Sequence, residues 1–480
     1  KFDISTNFKI IPNKNGIFMH NEDLSEDPEI GDDLFECVSI LNPQNNCKYE
    51  IADHRVQNST LKKFNAFNFY KNLNQVFIEA IKNPNKNNKI FELIQKITHV
   101  NDQSFYNNIA SDNKTEEEKA RNEILQEAHV SFIKNRLREL STPSKKDFQR
   151  WPFELIQNAN DSILSTGDYQ INKKINIEFE FSDNKVVFKH NGSPFKYKSL
   201  MALLYQCSDG KEDNLTTGRF GTGFMSTCIL SRVIHISGDV QTNFNNIEKT
   251  DGFEVTIYRD GDKKKDLKAG VNKMEKSLKK NCQIKGITTF EYNLDPKSPF
   301  YENSKKSFDK GLESLKNNIS PVLILNPTIN SITIKYKGQI TTYKANFEKS
   351  PIQSVTVKMN DKIIKTNKYL LFNSLKAYQS NNVHIDCLLQ IGPKNNIFNQ
   401  NDKDNLFISY PLFCTDQFSS PIIINSQEFE PTKERDSIII QSEQSECESY
   451  DSLINKFILK ESVNIYSQMI NYIIQQNNFS

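Results

Sequence analysis

Residues 154–162, ELIQNANDS, place a carboxylate, an amide and a second carboxylate on one short segment. The surrounding pattern predicts a helix: Trp151, Leu155 and Ile163 are apolar, no β-branched run intervenes, and Gly167-Asp168 stops it. Glu154, Asn158 and Asp161 fall four and three residues apart, so their side chains line one stripe of that helix. A polar stripe on a partly buried helix calls for a purpose beyond packing.

The flanking segments supply the frame. TEEEKARNEILQEAHVSFIKNRLREL (115–140) predicts a long helix with Thr115 as N-cap and three Glu in its first turn, ended by STPSKKD. Beyond the ELIQNANDS helix, Ile175, Ile177, Phe179 and Phe181 alternate with polar residues, the pattern of a half-buried strand. SDNK turns it into a second strand, VVFKH (186–190), and further strands are expected at VIHISG (233–238), FEVTIYR (253–259) and GITTFEY (286–292). Helices followed by strands on short turns predict an α+β fold, a two-layer α/β sandwich.

From about residue 296 the pattern changes. SITIKYKGQITTY (331–343) predicts a hairpin about Lys337-Gly338, and SVTVKMNDKIIKT (354–366) another about Asn360-Asp361. A strand follows at NVHIDCLLQIG (382–392), then a helix over 452–474 with Leu453, Phe457, Met469 and Ile473 on related faces. Residues 1–110 are Asn-rich and expected to be irregular, with two short amphipathic helices at 73–81 and 90–97. The expected division is a helical and irregular extension (1–110), a sandwich (111–295), a mixed α/β domain (296–445) and a C-terminal helical segment (446–480).

Composition narrows the function. The 480 residues include 33 Phe and are 37% hydrophobic, enough for real cores, while a mean hydropathy of −0.61 gives a strongly polar surface. Lys and Arg number 61 against 59 Asp and Glu, and without a basic block this argues against nucleic-acid binding as the main task. Cys37, Cys47, Cys207, Cys228, Cys282, Cys387, Cys414 and Cys447 show no CxxC pair, so free thiols in a reducing compartment are expected and thiolate–metal sites are not. The chain opens on Lys1, as a fragment would; its first residues have no apolar signal core, and no run reaches membrane-spanning length. A soluble intracellular protein is the expectation.

TTGRFGTGFMST (216–227) adds a second element. Gly218, Gly221 and Gly223 leave a loop whose amide N–H groups can approach phosphate oxygens, and FMSTCIL is expected to begin an apolar helix whose N-terminus adds a favourable field. Alone such a loop is a weak signal; its weight comes from the E-x-x-x-N-A-x-D helix upstream and the VVFKHNGSPF strand between them. The stretch from Lys196 to Gly218 has a polar, Gly-containing end that reads as a mobile lid, where Lys211 either meets a phosphate or is one solvated lysine among many.

The ordered set ELIQNAND, FKHNGSPF, GRFGTGF and GITTFEY, across residues 150–292, resembles the GHKL ATPases: gyrase B subunits, ninety-kilodalton heat-shock chaperones, histidine kinases and MutL proteins. RWPFELIQNAND with HNGSPF is most similar to the sacsin-type branch. The resemblance implies a Bergerat-type sandwich followed by a transducer-like domain, with ATP and Mg²⁺ as cofactors. It casts Asn158 as the Mg²⁺ ligand, Glu154 as the base that orients water, and Asp161 as a structural or supporting acid. Gly218, Gly221, Gly223 and the backbone of Arg219, Phe220 and Thr222 would line the phosphates, with Phe224 closing the motif. Thr288 resembles the hydroxyl that helps hold adenine, with Thr289 as competitor. One departure stands out: His190-Asn191-Gly192 replaces the usual Asp-x-Gly, leaving an imidazole nitrogen or the Asn191 amide oxygen to accept from adenine.

Hydrolytic members resemble one another in supplying a cation from the following domain, and here Pro431-Thr-Lys-Glu-Arg435 offers Lys433 or Arg435 for the γ-phosphate. A surface turn of little energetic worth is the alternative. The implied function is a slow, Mg²⁺-dependent ATPase acting as a chaperone-type clamp, dimeric through its nucleotide domain and serving an unnamed protein client. The rivals are a non-hydrolysing sensor, a histidine-type kinase, for which Glu154 and the EAHVSF surroundings of His129 are wrong, and a DNA-remodelling ATPase.

Overall fold

Ser144 and Asp147 open the helix that carries the polar stripe. The Asp147 carboxylate accepts the Ser144 backbone N–H at 2.7 Å and its hydroxyl at 2.8 Å, capping the first turn of α1 (Lys145–Leu164). In the computed structural model the described residues are 8–13, 16–21, 130–131, 133–164, 173–205, 223–244, 247–379, 381–392, 404–413, 415, 418, 420–432, 436–441 and 449–476.

The chain forms two compact units, 1–108 and 109–480. In the first, β1 (Phe8–Asn13) and β2 (Gly16–Asn21) make an antiparallel hairpin with Phe8 opposite Asn21 and Asn13 opposite Gly16. An irregular reading of this stretch misses the hairpin, which its Ile and Phe residues favour. The helices expected at 73–81 and 90–97 lie outside the described residues, as does most of the one expected from Thr115, of which residues 130–131 and 133–139 are helical.

The second unit continues from α1 through β3 (Ile175–Ser182), β4 (Lys185–His190), β5 (Phe195–Lys196), α2 (Tyr197–Tyr205) and a 3-10 turn (Gly223–Ile229). There follow β6 (Val233–Phe244), β7 (Ile247–Tyr258), α3 (Lys264–Ser277), β8 (Lys279–Cys282), β9 (Thr288–Asn293) and α4 (Tyr301–Leu325). Then come β10 (Ile329–Tyr336), β11 (Gln339–Asn346), β12 (Ile352–Met359), β13 (Lys362–Tyr378) and β14 (Asn381–Ile391). The unit closes with β15 (Leu406–Ile408), β16 (Tyr410–Pro411), β17 (Ile423–Asn425) and α5 (Tyr450–Gln476).

Among the described residues these strands form one mixed sheet in the order β16-β15-β17-β14-β13-β12-β11-β10-β3-β4-β9-β6-β7-β8, with β5 beside β6. The alternation in β3 does what its pattern requires: Ile175, Ile177, Phe179 and Phe181 are all buried. Over them lies Trp151 of α1, its ring centroid 6.2 Å from both Phe179 and Phe181, and Phe308 of α4 meets Phe181 edge-on at 5.1 Å. Gly311 of α4 lets the two helices touch, since a Cβ there would stand 2.2 Å from the Trp151 indole nitrogen. Helices on a sheet face give the mixed α+β architecture expected. β10 pairs in parallel with β3, so the sheet runs through residue 296 without a break.

Both predicted hairpins are present. Lys337-Gly338 (φ 50° and 74°) joins β10 to β11, and Asn360-Asp361 (φ 46° and 65°) joins β12 to β13, each with two positive-φ residues as a tight right-twisted hairpin demands. α5 packs over β13 and β14 through Ile454, Ile458, Ile465, Met469 and Ile473. Leu453, expected on that face, is 36% exposed because the stripe with a 3.6-residue period begins one position later. FMSTCIL is a 3-10 turn rather than the start of an apolar α-helix. Ser226 and Thr227 hydroxyls bond the Gly223 and Phe224 carbonyls at 2.7 Å, and strand β6 begins at Val233. Cys228 and Cys387 are buried free thiols and Cys282 is half-buried. Among the described residues no helix is long and apolar enough to cross a membrane.

Candidate functional site

α1 is buried almost all round between Trp151 and Gln157, which is unusual for a helix with a Glu on it. Glu154 is itself buried, and the Nε of Arg150, one turn earlier, meets its Oε1 at 2.6 Å. Gly223 lies against the other carboxylate oxygen: a Cβ at that position would come within 2.0 Å of Glu154 Oε2. A side chain there would displace the Glu154 carboxylate from its present position. The fold thus brings the end of the glycine-rich segment onto the carboxylate that the helical stripe presents. Asn158 is half-buried one turn further on, and Asp161 is buried.

The third side of the site is the end of β4. His190 is buried, and burial lowers its pKa to about 4, so the ring is neutral at pH 7. Its Nδ1 accepts the Gly192 N–H at 3.1 Å, which puts the ring proton on Nε2 and makes that nitrogen a donor, not the acceptor for adenine expected from the sequence. Asn191 Oδ1 accepts the Asn176 N–H of β3 at 2.7 Å. Gly192 sits where a Cβ would stand 2.3 Å from Ser162 Oγ, and Ser193 N–H donates to that same hydroxyl at 3.2 Å. The 191–193 loop is therefore fastened to the C-terminal turns of α1.

In the antiparallel register Thr288 lies directly opposite His190, and Thr289 opposite Lys189. Successive strand residues point to opposite faces, so the buried Thr288 shares the face of His190 and Phe188, while Thr289 points away. Phe224, at the start of the 3-10 turn, packs on Phe290 of β9 with centroids 5.8 Å apart.

Lys211, Gly218, Arg219, Phe220, Gly221 and Thr222 lie outside the described residues, as do Lys433 and Arg435. The flanks of the latter turn are described. Pro431 bridges to Ile438, and Thr432 Oγ1 donates to Asp436 at 2.6 Å. The Asp436 carboxylate in turn takes the Lys146 ammonium of α1 at 2.8 Å. Burial pushes that carboxyl up, but the bonds from Lys146 and Thr432 outweigh it and hold the group below its ordinary pKa. Thr432 and Asp436, which flank residues 433–435, are thereby held beside the first turn of α1.

Two groups escaped the sequence reading. Arg150 was legible, standing four residues before Glu154 at the spacing that pairs side chains on a helix. Tyr410 was not: it comes from a strand far along the chain, and no local pattern marks it.

Among the described residues no three or more His, Cys, Asp or Glu side chains converge as a metal site. Among the described residues near Glu154 on α1, Asn158 offers a neutral amide and Asp161 a carboxylate, oxygen donors that suit a hard cation taking most of its ligands from phosphate and water.

No family model matches the chain, and no curated protein matches it. Among solved structures the chain is similar to the MutL ATPase domain of Aquifex aeolicus complexed with ADP, with 11% identity and a TM-score of 0.28, over 57% of this chain and 88% of that one. It is also similar to the B-subunit of the DNA gyrase from Myxococcus xanthus, with 7% identity and a TM-score of 0.35, over 64% of this chain and 87% of that one. Each likeness is slight, and each extends over more of the known chain than of this one.

Proposed function

We propose that this chain binds ATP with Mg²⁺ between α1 and the glycine-rich segment and hydrolyses it slowly, as a GHKL-type ATPase. The observation that carries this is the abutment of Gly223 on the Glu154 carboxylate, with Asn158 one turn away. Glu154 Oε1 is paired with Arg150, and its other oxygen abuts Gly223, the last glycine of a segment whose amides would approach phosphate. Glu154 would take the proton of the attacking water, which general bases do from about hydrogen-bond distance. Asn158 would hold Mg²⁺, which when bound neutralises charge on the phosphates and orients them. Thr288 and the neutral His190 would face the base of the nucleotide, His190 as a donor through Nε2. Lys433 or Arg435, in the stretch before Asp436, which itself pairs with Lys146 of α1, would supply the cation for the γ-phosphate.

Contacts to the γ-phosphate from both the sandwich and the 431–438 turn would exist before hydrolysis and be lost after it. Such differential contact is what a ligand needs to shift a conformational equilibrium. A chaperone-type clamp of the sacsin branch, dimeric through the nucleotide domain and acting on a protein client, is the use we assign to it by resemblance.

A second reading has one observation in its favour. The Arg150 guanidinium occupies Glu154 Oε1 at 2.6 Å, and a carboxylate so engaged is a poorer base. A nucleotide-binding sensor that does not turn over would keep such a pair permanently. Steady-state phosphate release decides between the two: Mg²⁺-dependent turnover supports the ATPase, and tight binding with no release supports the sensor.

Asn158→Ala provides a separate check. In the native chain Mg²⁺ should tighten nucleotide binding, and the variant should lose that gain, about tenfold or about 1.4 kcal/mol. The readout is the ratio of Kd values with and without Mg²⁺. An unchanged ratio would remove Asn158 as the ligand.

A further inference from the structure

The β15–β16 connection is a one-residue turn at Ser409, and its backbone is strained. Ser409 has φ 57°, a left-handed conformation that residues with a side chain seldom adopt. Three side chains from separate places in the fold hold it there. Asn425 Oδ1 of β17 accepts its N–H at 2.7 Å, Asn326 Nδ2 at the end of α4 donates to its carbonyl at 3.0 Å, and Gln427 Nε2 donates to its hydroxyl. Asn326 Oδ1 also accepts Asn160 Nδ2 of α1 at 3.3 Å, and Asn160 Oδ1 takes the Thr328 hydroxyl. On the far side, Asn425 Nδ2 donates to Asp386 of β14 at 2.9 Å. A continuous buried polar chain therefore leads from β14 through Ser409 to the helix that carries Glu154.

The next residue is Tyr410. It is 5% exposed, and its hydroxyl has no hydrogen-bond partner of good geometry although it lies beside Asn160. A buried hydroxyl left unpartnered destabilises the fold. Burial, together with the nearby Asp161 and Glu154 carboxylates, holds this phenol well above its usual pKa, so it is a neutral donor at any physiological pH. On α1 the Asn160 amide lies beside it, and the Asp161 and Glu154 carboxylates are near enough to act on it through space. Phe413, three residues on, packs on Phe153 at 5.6 Å and fixes the same segment to the same helix.

We infer that Tyr410 is a positioning residue of the Glu154 site, the hydroxyl through which the strained Ser409–Tyr410 turn aligns the carboxylates of α1 once substrate is bound. This rests on the ATPase reading above. Strain at Ser409 and the unpartnered hydroxyl then have one explanation: both are held in place for a contact completed by the nucleotide complex. Movement of β14 and β17 would reach the site by this route, since Ser409 is clamped between them and α1.

The test uses the full chain carrying Tyr410→Phe, which keeps the ring and removes the oxygen. The expected result is a kcat lower by about tenfold, the scale of a small misplacement at a reacting centre, with KM within about twofold of the native value. The nucleotide-free Tm should be unchanged or higher, because no bond is lost in that state. A merely structural role would lower Tm and leave kcat per folded molecule as it was. A native chain that hydrolyses ATP beside a Tyr410→Phe variant with kcat within about twofold of it would overturn the inference alone. A native chain without turnover would overturn the ATPase reading and the inference with it.

Discussion

Replacing Glu154 by Gln should lower ATP turnover by about 10²–10⁴-fold, the usual contribution of a positioned general base, while nucleotide affinity stays within about threefold of the native value. Gln is the informative choice. It keeps an oxygen for the Arg150 Nε that now stands 2.6 Å from Oε1, and it keeps the volume that fits against Gly223. Ala would instead break the Arg150–Glu154 pair, whose side chains are 13% and 8% exposed, and breaking a buried pair costs about 3–5 kcal/mol in its own right. A fall in turnover could then be a folding defect. Single-turnover phosphate release with saturating Mg²⁺ and ATP gives the rate, and equilibrium titration gives the affinity. If rate and affinity fall together, Glu154 is a binding group and the base lies elsewhere.

The second large effect is on stability. Trp151→Ala should cost about 3–5 kcal/mol, the range for emptying a fully buried aromatic site. Trp151 has 0% exposure, packs edgewise on Phe179, and donates its indole N–H to the Ser307 carbonyl of α4 at 3.0 Å. Gly311 of α4 leaves no space for a neighbour to collapse inward from that side without moving a helix. The substitution therefore leaves a cavity at the α1–α4 contact and removes the indole bond to a carbonyl that still belongs to the α4 ladder, so the cavity is the main penalty. Against a total stability of about 5–15 kcal/mol for a folded unit this is a large share. Trp151 is the sole tryptophan of the chain, so denaturant unfolding of the variant is followed by circular dichroism and that of the native chain by both signals. A loss below about 1 kcal/mol would show that this contact does not hold the sandwich together.

Much of this was legible in the sequence because the signals were local. The spacing of Glu154, Asn158 and Asp161 placed a stripe on a helix that exists, the alternation of β3 predicted its buried face, and Lys337-Gly338 and Asn360-Asp361 turned where such pairs turn. Helix α4 was not read. Pro321 interrupts it, Asn317 and Asn318 weaken its propensity, and its amphipathic face is diluted by the buried Ser304, Ser307 and Ser314. The parallel pairing of β3 with β10 joins residues near 175 to residues near 329, a separation at which no pattern argues. In the site, Glu154 and Gly223 came from motifs, but the clamp on Ser409 and the placement of Tyr410 are products of tertiary structure. Their residue types, Asn, Gln and Tyr, are common across this chain and carry no mark of their positions.

The stripe on α1 has its explanation if a triphosphate lies between that helix and the glycine-rich segment. Titration calorimetry of the full chain with a non-hydrolysable ATP analogue, with and without Mg²⁺, addresses this directly. The account predicts saturable binding of one nucleotide per chain that tightens when Mg²⁺ is added. A flat titration in both conditions would contradict it.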